Sequence, residues 1–196
     1  MIGKIFKLLK YRNEARMALS SVLRIAEGDA NAMMLGGLTD EEITGLISWL
    51  PERGTFVEFG TLFGLTAKAI AAAKPNLKVL AVDNFSWNPF GLPPKLHEAF
   101  TRRILENEIT AGRVEVVNAT SEEFRNGFAA VPDAVFFDAQ HQYESVRDEI
   151  AWAKRVGVSC ITGHDYNNPS KVFGVTKAVN EAFGKPSKVV GMCWKA

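Results

Sequence analysis

TFVEFGTLFGLTA, residues 55–67, runs from a short apolar stretch into a helical pattern through a loop bounded by two glycines. Its first part, TFVEF (55–59), is rich in β-branched and aromatic residues, which favours a strand. Apolar residues then recur at helical spacing over about 64–73, which favours a helix. Gly60 and Gly64 allow the connecting backbone to turn sharply and to approach a ligand closely. The stretch therefore predicts a strand, a tight loop and a helix.

The same alternation of short apolar runs and helical patterns continues to the end of the chain. Further strands are predicted at 78–83, 113–118, 133–138 and 157–163, and further helices at 94–110, 121–128, 142–155 and 171–183. The segments KVV and CWK then close the chain, either as one strand or as a tight hairpin around Gly191. Strands that are apolar on both faces and separated by helices predict a parallel sheet covered on both sides.

The segment before this alternation predicts a separate helical piece. Residues 1–26 have helical periodicity with a basic stripe. Such a stripe packs on the chain's own domain or on a sister subunit more often than on an anionic membrane. Thr39 and Glu42 form a capping box that predicts a helix through about Leu50. We therefore divide the chain into an N-terminal helical appendage (1–38), which is the candidate surface for a homo-oligomer, and a main domain (39–196).

The composition is that of an ordinary globular chain. Its 196 residues, 47% hydrophobic and 23% charged, suit one domain and exclude a disordered or low-complexity chain. The net charge of +1 disfavours a protein whose main work is binding a nucleic-acid backbone. Cys160 and Cys193 are too few for a disulfide scaffold or a thiolate zinc site, so we expect two reduced packing thiols.

The sequence also bears on where the protein acts. It contains no apolar run near the roughly 20 residues that span a bilayer. Lys4, Lys7 and Lys10 interrupt the stretch that would form the apolar core of a signal peptide. We therefore expect a cytoplasmic protein without stable membrane association.

Each of the first five predicted strands delivers a polar group at its carboxyl end. The strands end in Glu58 with Gly60, in Asp83, in Asn118 with Ala119, in Asp138, and in His164 with Asp165. In an open α/β sheet, ligands bind beyond the carboxyl ends of the strands, near the point where the strand order reverses. Because all five strands deliver polar groups to the same edge, the sequence predicts a ligand site there.

The glycine loop does not match the common phosphate-binding patterns. A Walker loop needs four residues between its glycines followed by Lys and Ser or Thr, whereas here three residues separate Gly60 from Gly64. Leu62 and Leu65 stand where the dinucleotide fingerprint requires its second and third glycines. Asp83, about 20 residues further on, is placed to accept hydrogen bonds from both hydroxyls of a ribose.

Several motifs resemble those of class I S-adenosylmethionine-dependent methyltransferases. The pattern E-x-G-T-x-x-G-x-[ST], here residues 58–66, is similar to the first motif of the catechol and caffeoyl-CoA O-methyltransferase branch. VLAVDNF (79–85) resembles the second motif, and VEVVNATSEEF (114–124) resembles the segment that edges the adenine. FFDAQHQYESVRDEI (136–150) and ITGHDY (161–166) resemble the fourth and fifth motifs of small bacterial members. The resemblance covers about residues 39–196.

The resemblance implies both a fold and an activity. The fold is a Rossmann-like three-layer α/β sandwich, with a mainly parallel seven-stranded sheet and an antiparallel C-terminal strand. The activity is methyl transfer from S-adenosylmethionine to a hydroxyl of a small molecule. Because the net charge is only +1, no nucleic-acid partner is expected, although a methyltransferase acting on sugar or nucleic acid would differ only in its acceptor.

The resemblance also implies the cofactor-binding positions. The residues of the loop after the first strand would surround the methionine part of S-adenosylmethionine, and Glu58 would lie near the amino group of that part. Asp83 would hold the ribose, and the positions after the third strand would meet the adenine edge. The full set is Glu58, Gly60, Thr61, Gly64, Asp83, Asn84, Asn118, Ala119 and Asp138. Three carboxylates in this set suit a cofactor that carries an ammonium, a sulfonium and a diol.

A divalent metal is a further implication of the branch. Its carboxylates at the positions of Asp138 and Asp165 bind a divalent ion, which here would be Mg²⁺ or another cation that accepts hard oxygen ligands. The third ligand of the branch is an amide at the position of Tyr166, and Asn167 lies one residue on.

The candidate catalytic residues are Asp138, His141 and His164. His141 aligns with the lysine base of the branch, and a histidine there could take a hydroxyl proton near neutral pH. His164, beside Asp165, could be a metal ligand or a second base.

Alternatives remain open at this level. A nicotinamide-dependent oxidoreductase uses a similar sheet, and a non-catalytic S-adenosylmethionine-binding module would keep the pocket without the chemistry. His141 could instead cap the helix that follows it. We expect His97 to lie at the surface, because the sequence places no constellation around it.

Overall fold

The structure, a computed structural model, describes residues 37–88, 91–170 and 172–196. The strands within these residues are β1 (Arg53–Phe59), β2 (Asn76–Asp83), β3 (Val114–Asn118), β4 (Ala134–Phe137), β5 (Cys160–Gly163), β6 (Lys188–Val190) and β7 (Cys193–Lys195). The helices are α1 (Asp40–Trp49), α2 (Leu65–Ala73), α3 (Pro94–Ile104), α4 (Glu106–Thr110), α5 (Ser121–Gly127), α6 (Tyr143–Val156) and α7 (Val175–Phe183). The predicted helix over 1–26, and the oligomer surface expected there, lie outside the described residues.

The strands form one seven-stranded sheet in the order β3-β2-β1-β4-β5-β7-β6. The pairs among β1 to β5 are all parallel, and β7 is antiparallel to both β5 and β6. The order runs outward from β1 in one direction and from β4 in the other, so the reversal lies between these two strands. The predicted fold class is therefore confirmed, and the expected ligand edge lies at the carboxyl ends of β1 and β4.

Two hydrophobic layers cover the sheet, one on each face. Neighbouring residues of β1 enter different layers, Phe56 into one and Val57 into the other, as the period of a strand requires. The first layer packs the sheet against α1 and α2, and the second packs it against α5, α6 and α7. This is the three-layer sandwich that strands apolar on both faces predict.

The element boundaries differ most from the predictions at three places, and β1 and β2 also begin two residues earlier than predicted. The helix predicted over 94–110 is two helices, α3 and α4, which meet at Leu105, where φ −93° and ψ 8° depart from helical values and the side chain is fully buried near Gly64. The strand predicted from residue 157 begins at Cys160, since Gly157 ends α6 in the left-handed conformation, with φ 89°. The last helix begins only at Val175.

The C-terminus is the hairpin, not the single strand. β6 and β7 pair directly across Gly191 and Met192. Gly191 has φ 57°, and a Cβ at this position would collide with the Glu42 side chain of α1. The hairpin turn therefore packs closely on α1, which brings Glu42 toward the carboxyl edge of the sheet.

Two smaller predictions are confirmed. Thr39 accepts a hydrogen bond from the Glu42 N–H at 3.2 Å, and Glu42 accepts one from the Thr39 N–H at 2.9 Å, which completes the capping box of α1. Cys160 and Cys193 are buried free thiols. Over the part of the chain that the structure describes, every helix is too short or too polar to cross a membrane.

Candidate active site

Backbone hydrogen bonds continue the sheet beyond the ends of its strands and fix the residues that follow them. Gly60 N–H donates to the Val82 carbonyl at 2.9 Å, and Asp138 N–H donates to the Phe59 carbonyl at 2.9 Å. His164 N–H donates to the Phe137 carbonyl at 3.0 Å. The residues after β1, β4 and β5 therefore stand side by side along one edge of the sheet.

A cavity of about 1190 Å³ opens along this edge. Of the predicted site residues, the cavity is lined by Gly60, Asp83, Asn84, Ala119, Asp138, His141, His164 and Asp165. The carboxylates on its described wall outnumber the arginines, Arg125 and Arg155. These carboxylates are Glu41, Glu42, Asp83, Glu122, Asp138, Glu144, Asp148, Glu149 and Asp165. The cavity therefore favours a positively charged ligand.

The loop after β1 needs its two glycines for different reasons. Gly60 has φ 85°, and a Cβ there would collide with the Asp138 backbone, so only glycine lets the ends of β1 and β4 approach. Gly64 has φ 80° and begins α2, where it faces Leu105 and is not among the residues that line the cavity. Gly60 belongs to the cavity wall, whereas Gly64 shapes the loop from behind.

Glu58 and Thr61 lie beneath that loop. Both are buried, and the Thr61 hydroxyl donates a hydrogen bond to the Glu58 carboxylate. Burial raises the pKa of Glu58 to about 8, an effect that the charges of Asp138 and Asp83 reinforce and the hydrogen bond from Thr61 opposes. Neither residue lines the cavity, so they support the loop from below rather than form its surface.

The raised pKa of Glu58 predicts a pH effect on stability. A carboxyl group with a pKa near 8 when folded and 4.5 when unfolded binds its proton more tightly in the folded chain, so its contribution is complete below pH 4.5 and is lost as the pH rises toward 8. The loss is at most about 1.4 kcal/mol per pH unit. We expect Glu58→Gln to flatten this decline, as measured by urea unfolding from pH 5 to 9.

The control is Glu115→Gln, which removes an exposed carboxylate from β3. Its unfolding free energies should run parallel to those of the native chain over the same pH range. A Glu58→Gln curve that also runs parallel would show that Glu58 does not hold a proton in the folded chain.

Asp83 at the end of β2 is held by two backbone amides. Leu62 N–H donates to its Oδ2 at 2.9 Å, and Phe85 N–H donates to its Oδ1 at 2.7 Å. Burial raises the pKa of Asp83, while these two hydrogen bonds oppose the rise. The carboxylate therefore has a fixed orientation and presents its remaining lone pairs to the cavity that it lines. Asn84 beside it accepts a hydrogen bond from Ser86 N–H at 3.0 Å.

The two residues after β3 point to different surroundings. Ala119 lines the cavity, and its N–H donates to the Asp83 carbonyl at 3.2 Å. Asn118 is exposed, donates to the Glu98 carboxylate at 2.6 Å, and is not part of the cavity wall. The structure thus brings Ala119, but not the side chain of Asn118, to the predicted edge.

His164 lies among three carboxylates. Its Nε2 is 3.3 Å from Glu42 Oε1, and its Nδ1 is 3.6 Å from Asp138 Oδ1 and 3.8 Å from Asp165 Oδ2. Burial alone lowers the pKa of His164, but Asp138 raises it, with help from Asp165 and Glu42, and the net pKa is about 9. His164 therefore carries a positive charge that offsets part of the surrounding negative charge.

His141 has a different environment. Its Nδ1 is 3.1 Å from Asp165 Oδ2, and its ring stacks on Phe173 with centroids 4.3 Å apart. The cap of α6 is Gln142, without a side-chain hydrogen bond, so His141 is not the helix cap that one alternative expected. Because Asp165 faces Nδ1, Nε2 is the nitrogen that can exchange a proton with a bound molecule.

The residues around Asp165 show which ligand atoms a metal ion would find there. Asp138, His164 and Asp165 offer ligand atoms that lie within 4.8 Å of one another. The hydroxyl of Tyr166 donates to Asn180 at 2.9 Å, and it is Asn168, not Asn167, that donates to Asp165, at 2.5 Å.

These contacts decide which kind of ion would fit. Two carboxylates and one imidazole suit Mn²⁺ or Zn²⁺, whereas Mg²⁺ prefers oxygen ligands. The residues fit a divalent ion, but through a set that includes nitrogen rather than the all-oxygen set that the resemblance implies.

Sequence reasoning missed two residues. Glu42 was assigned only to a helix cap, yet its Oε1 also accepts a hydrogen bond from Met192 N–H at 2.8 Å and faces His164. The prediction that His97 lies at the surface is wrong, since the residue is fully buried. The signal for His97 is its spacing, because His97, Thr101 and Leu105 follow one another at intervals of four and share the buried face of α3 and its C-terminal end.

Known proteins with a similar sequence or fold indicate the family of this chain. A protein-family model described as a methyltransferase domain matches residues 57–166. The fold is similar to that of cofactor-bound Rv0187 from MTB, with 20% identity, a TM-score of 0.61, and coverage of 86% of this chain and 78% of that chain. The chain has no match among curated proteins.

Two further solved structures have similar folds. One is the O-methyltransferase from Bacillus cereus in complex with SAH, with 15% identity, a TM-score of 0.56, and coverage of 88% of this chain and 77% of that chain. The other is the precorrin-6y C5,15-methyltransferase from Geobacter metallireducens GS-15, with 16% identity, a TM-score of 0.56, and coverage of 75% and 72%. At these identities the likeness concerns the fold.

Proposed function

The chain belongs to the methyltransferase domain family, and on that premise we propose that it transfers a methyl group from S-adenosylmethionine to a hydroxyl group of a small molecule. Its fold is that of the class I S-adenosylmethionine-dependent methyltransferases. The observation that carries the proposal is the pair His141 and Asp165, which lines the same cavity as Asp83.

The cavity wall suits the cofactor. S-adenosylmethionine carries an ammonium, a sulfonium and a ribose diol, and when bound it supplies an electrophilic methyl group. Asp83 accepts the ribose hydroxyls with the lone pairs that Leu62 and Phe85 leave unused. Gly60 and Asp138 line the wall beside Asp83 and would hold the amino-acid part of the cofactor. The excess of carboxylates on the wall favours the cationic cofactor over its neutral product.

The hydroxyl specificity rests on His141. A hydroxyl group must lose its proton as it attacks, and His141 Nε2 accepts that proton while Asp165 stabilises the resulting imidazolium through Nδ1. Phe173 stacks on the ring and fixes its plane, so the imidazole stays oriented without help from the acceptor. Much of the acceleration then comes from holding the acceptor oxygen in line with the methyl group.

A small acceptor fits the charge of the cavity. Nine carboxylates line its described wall, and they repel the phosphates of a nucleic acid. Trp87, with 68% of its surface exposed, and Phe173 also line the cavity and offer aromatic surface to an apolar part of the acceptor. We therefore place the acceptor among small organic molecules with a hydroxyl group.

A divalent ion is a second element of the proposal, favoured by the spacing of Asp138, His164 and Asp165. These three residues would hold the ion, which would lower the pKa of an acceptor hydroxyl. His164 must lose its proton to bind the ion, so the protein should release a proton as metal binds.

Metal dependence is tested by calorimetry with Mn²⁺ in two buffers of different ionisation enthalpy. We expect binding accompanied by proton release, and the loss of binding in Asp165→Asn. The matched control is Asp148→Asn, an exposed carboxylate on the same cavity wall, which should still bind the ion. Binding that is absent, or equal in both variants, would contradict the metal site.

The direct test of the function is calorimetry with S-adenosylhomocysteine, followed by turnover of S-adenosylmethionine with a panel of small hydroxyl compounds. We expect a Kd at or below about 100 μM, which corresponds to roughly 5.5 kcal/mol of binding free energy. NADH serves as the competing ligand and should not bind. Binding of NADH alone would favour the oxidoreductase, and binding of S-adenosylhomocysteine without turnover would favour the non-catalytic module.

A further inference from the structure

His97 of α3 is buried in a place where its ring meets two backbone carbonyls. Its Nε2 is 3.0 Å from the Leu62 carbonyl oxygen, and its Nδ1 is 3.4 Å from the Phe85 carbonyl oxygen. The rings of Phe63 and Phe85 enclose the imidazole, with centroids 4.8 and 5.2 Å from its own. These four contacts hold the imidazole in one position and one ring orientation.

The same two residues also hold Asp83. Leu62 and Phe85 donate their N–H groups to the Asp83 carboxylate and turn their carbonyls toward His97. Each of these two residues is thus bound by Asp83 at its nitrogen and faced by His97 at its oxygen. Thr101, one turn after His97, donates its hydroxyl to the Leu62 carbonyl at 2.7 Å and strengthens the same arrangement.

The backbone at both residues is strained. Leu62 has φ 49° and Phe85 has φ 57°, values that side chains other than glycine rarely adopt. Such conformations persist only where the surroundings fix them. His97 Nε2 adds a contact on the carbonyl side of Leu62, beside the hydroxyl of Thr101, and without it Leu62 is held less firmly and can carry its N–H group away from Asp83.

We propose that His97 is a positioning residue that holds Asp83 in the orientation that binds the ribose of the cofactor, an inference that rests on the proposed function. His97 acts through Leu62 and is not among the residues that line the cavity. The shorter distance at Nε2 assigns the ring proton to the bond with the Leu62 carbonyl. Burial lowers the pKa of His97, which agrees with a neutral ring that donates once.

The test compares His97→Leu with His97→Gln by calorimetry with S-adenosylhomocysteine. His97→Leu removes the donor to Leu62, and we expect its Kd to rise about tenfold, as the loss of one buried hydrogen bond allows. His97→Gln retains an amide donor and should stay within about threefold of the native Kd. The 2′,3′-dideoxyribose analogue of the ligand lacks the hydroxyls that Asp83 binds, so native and His97→Leu chains should bind it equally.

Two controls separate positioning from general stability. Val179→Ala removes a buried side chain from the layer on the other face of the sheet, so it should lower Tm without changing the Kd ratio of the two ligands. If His97→Leu does not fold, His97→Asn replaces it, because its amide is too short to reach Leu62. Native binding of S-adenosylhomocysteine with an unchanged Kd in the His97 variant would overturn this inference alone. Absence of binding by the native chain would overturn the proposed function.

Discussion

Asp83→Ala should bind S-adenosylhomocysteine at least about 100-fold more weakly than the native chain. The reason is that the carboxylate, fixed by Leu62 and Phe85 N–H groups, is placed to accept both ribose hydroxyls. Hydrogen bonds to a charged group contribute about 1.5–3 kcal/mol each, so the loss of two exceeds a factor of 100 in affinity. Calorimetry with S-adenosylhomocysteine measures the change.

The matched control for this experiment is Asp133→Ala. Asp133 also accepts a backbone hydrogen bond, from Thr55 N–H at 2.7 Å, but it precedes β4 and so lies at the opposite edge of the sheet. Its removal should lower the free energy of unfolding and leave the Kd unchanged. An Asp83→Ala chain that retains native affinity would remove Asp83 from the binding site, and with it the basis for a nucleoside at this edge.

The sheet itself could be predicted from the sequence because its pattern is local and repeated. Each apolar run of five to seven residues is flanked by a helical pattern, and only a parallel sheet covered on both faces accommodates that alternation. The carboxyl ends of such strands meet at one edge whatever their side chains are. For that reason the sequence alone predicts that Asp83, Asp138 and Asp165 lie together, and all three line the cavity.

The features that the sequence did not predict depend on contacts between distant parts of the chain. Glu42 reaches His164 only because the turn at Gly191 packs against α1, and a local pattern carries no signal for that contact. Likewise, the helix predicted over 94–110 is interrupted at Leu105, whose side chain is buried next to Gly64, far away in sequence. Packing of this kind decides boundaries and side-chain neighbours, whereas periodicity decides the type and order of the elements.

His97 shows the same limit in the site. Its surroundings come from the loop after β1 and the loop after β2, which meet only once the sheet has formed. The residues beside His97 in the sequence provide no indication of a site. The spacing along α3, however, places His97 on the same helix face as Thr101 and Leu105. The role of a histidine on a buried helical face therefore depends more on the groups that neighbouring strand ends bring into contact with it than on the residues beside it in the sequence.

The second large effect is expected at His141. His141→Ala should slow methyl transfer by about 10²–10⁴-fold, the range that a positioned general base contributes. The Kd for S-adenosylhomocysteine should stay within about threefold, since the proposed role of His141 is toward the acceptor and not the cofactor. Added imidazole should restore part of the rate, because it can occupy the space that the substitution leaves beside Asp165 and Phe173.

A nearby variant separates proton transfer from local disturbance. Tyr143→Phe lies two residues further along, removes only the hydroxyl that donates to Glu181, and is outside the cavity wall, so its rate should equal that of the native chain. Single-turnover rates of S-adenosylhomocysteine formation give the comparison, because they report the chemical step without product release. A rate for His141→Ala within a few fold of the native rate, with no response to imidazole, would show that His141 is not the general base. The remaining candidate would then be His164, whose positive charge among Glu42, Asp138 and Asp165 makes it a poor proton acceptor unless a metal ion displaces its proton.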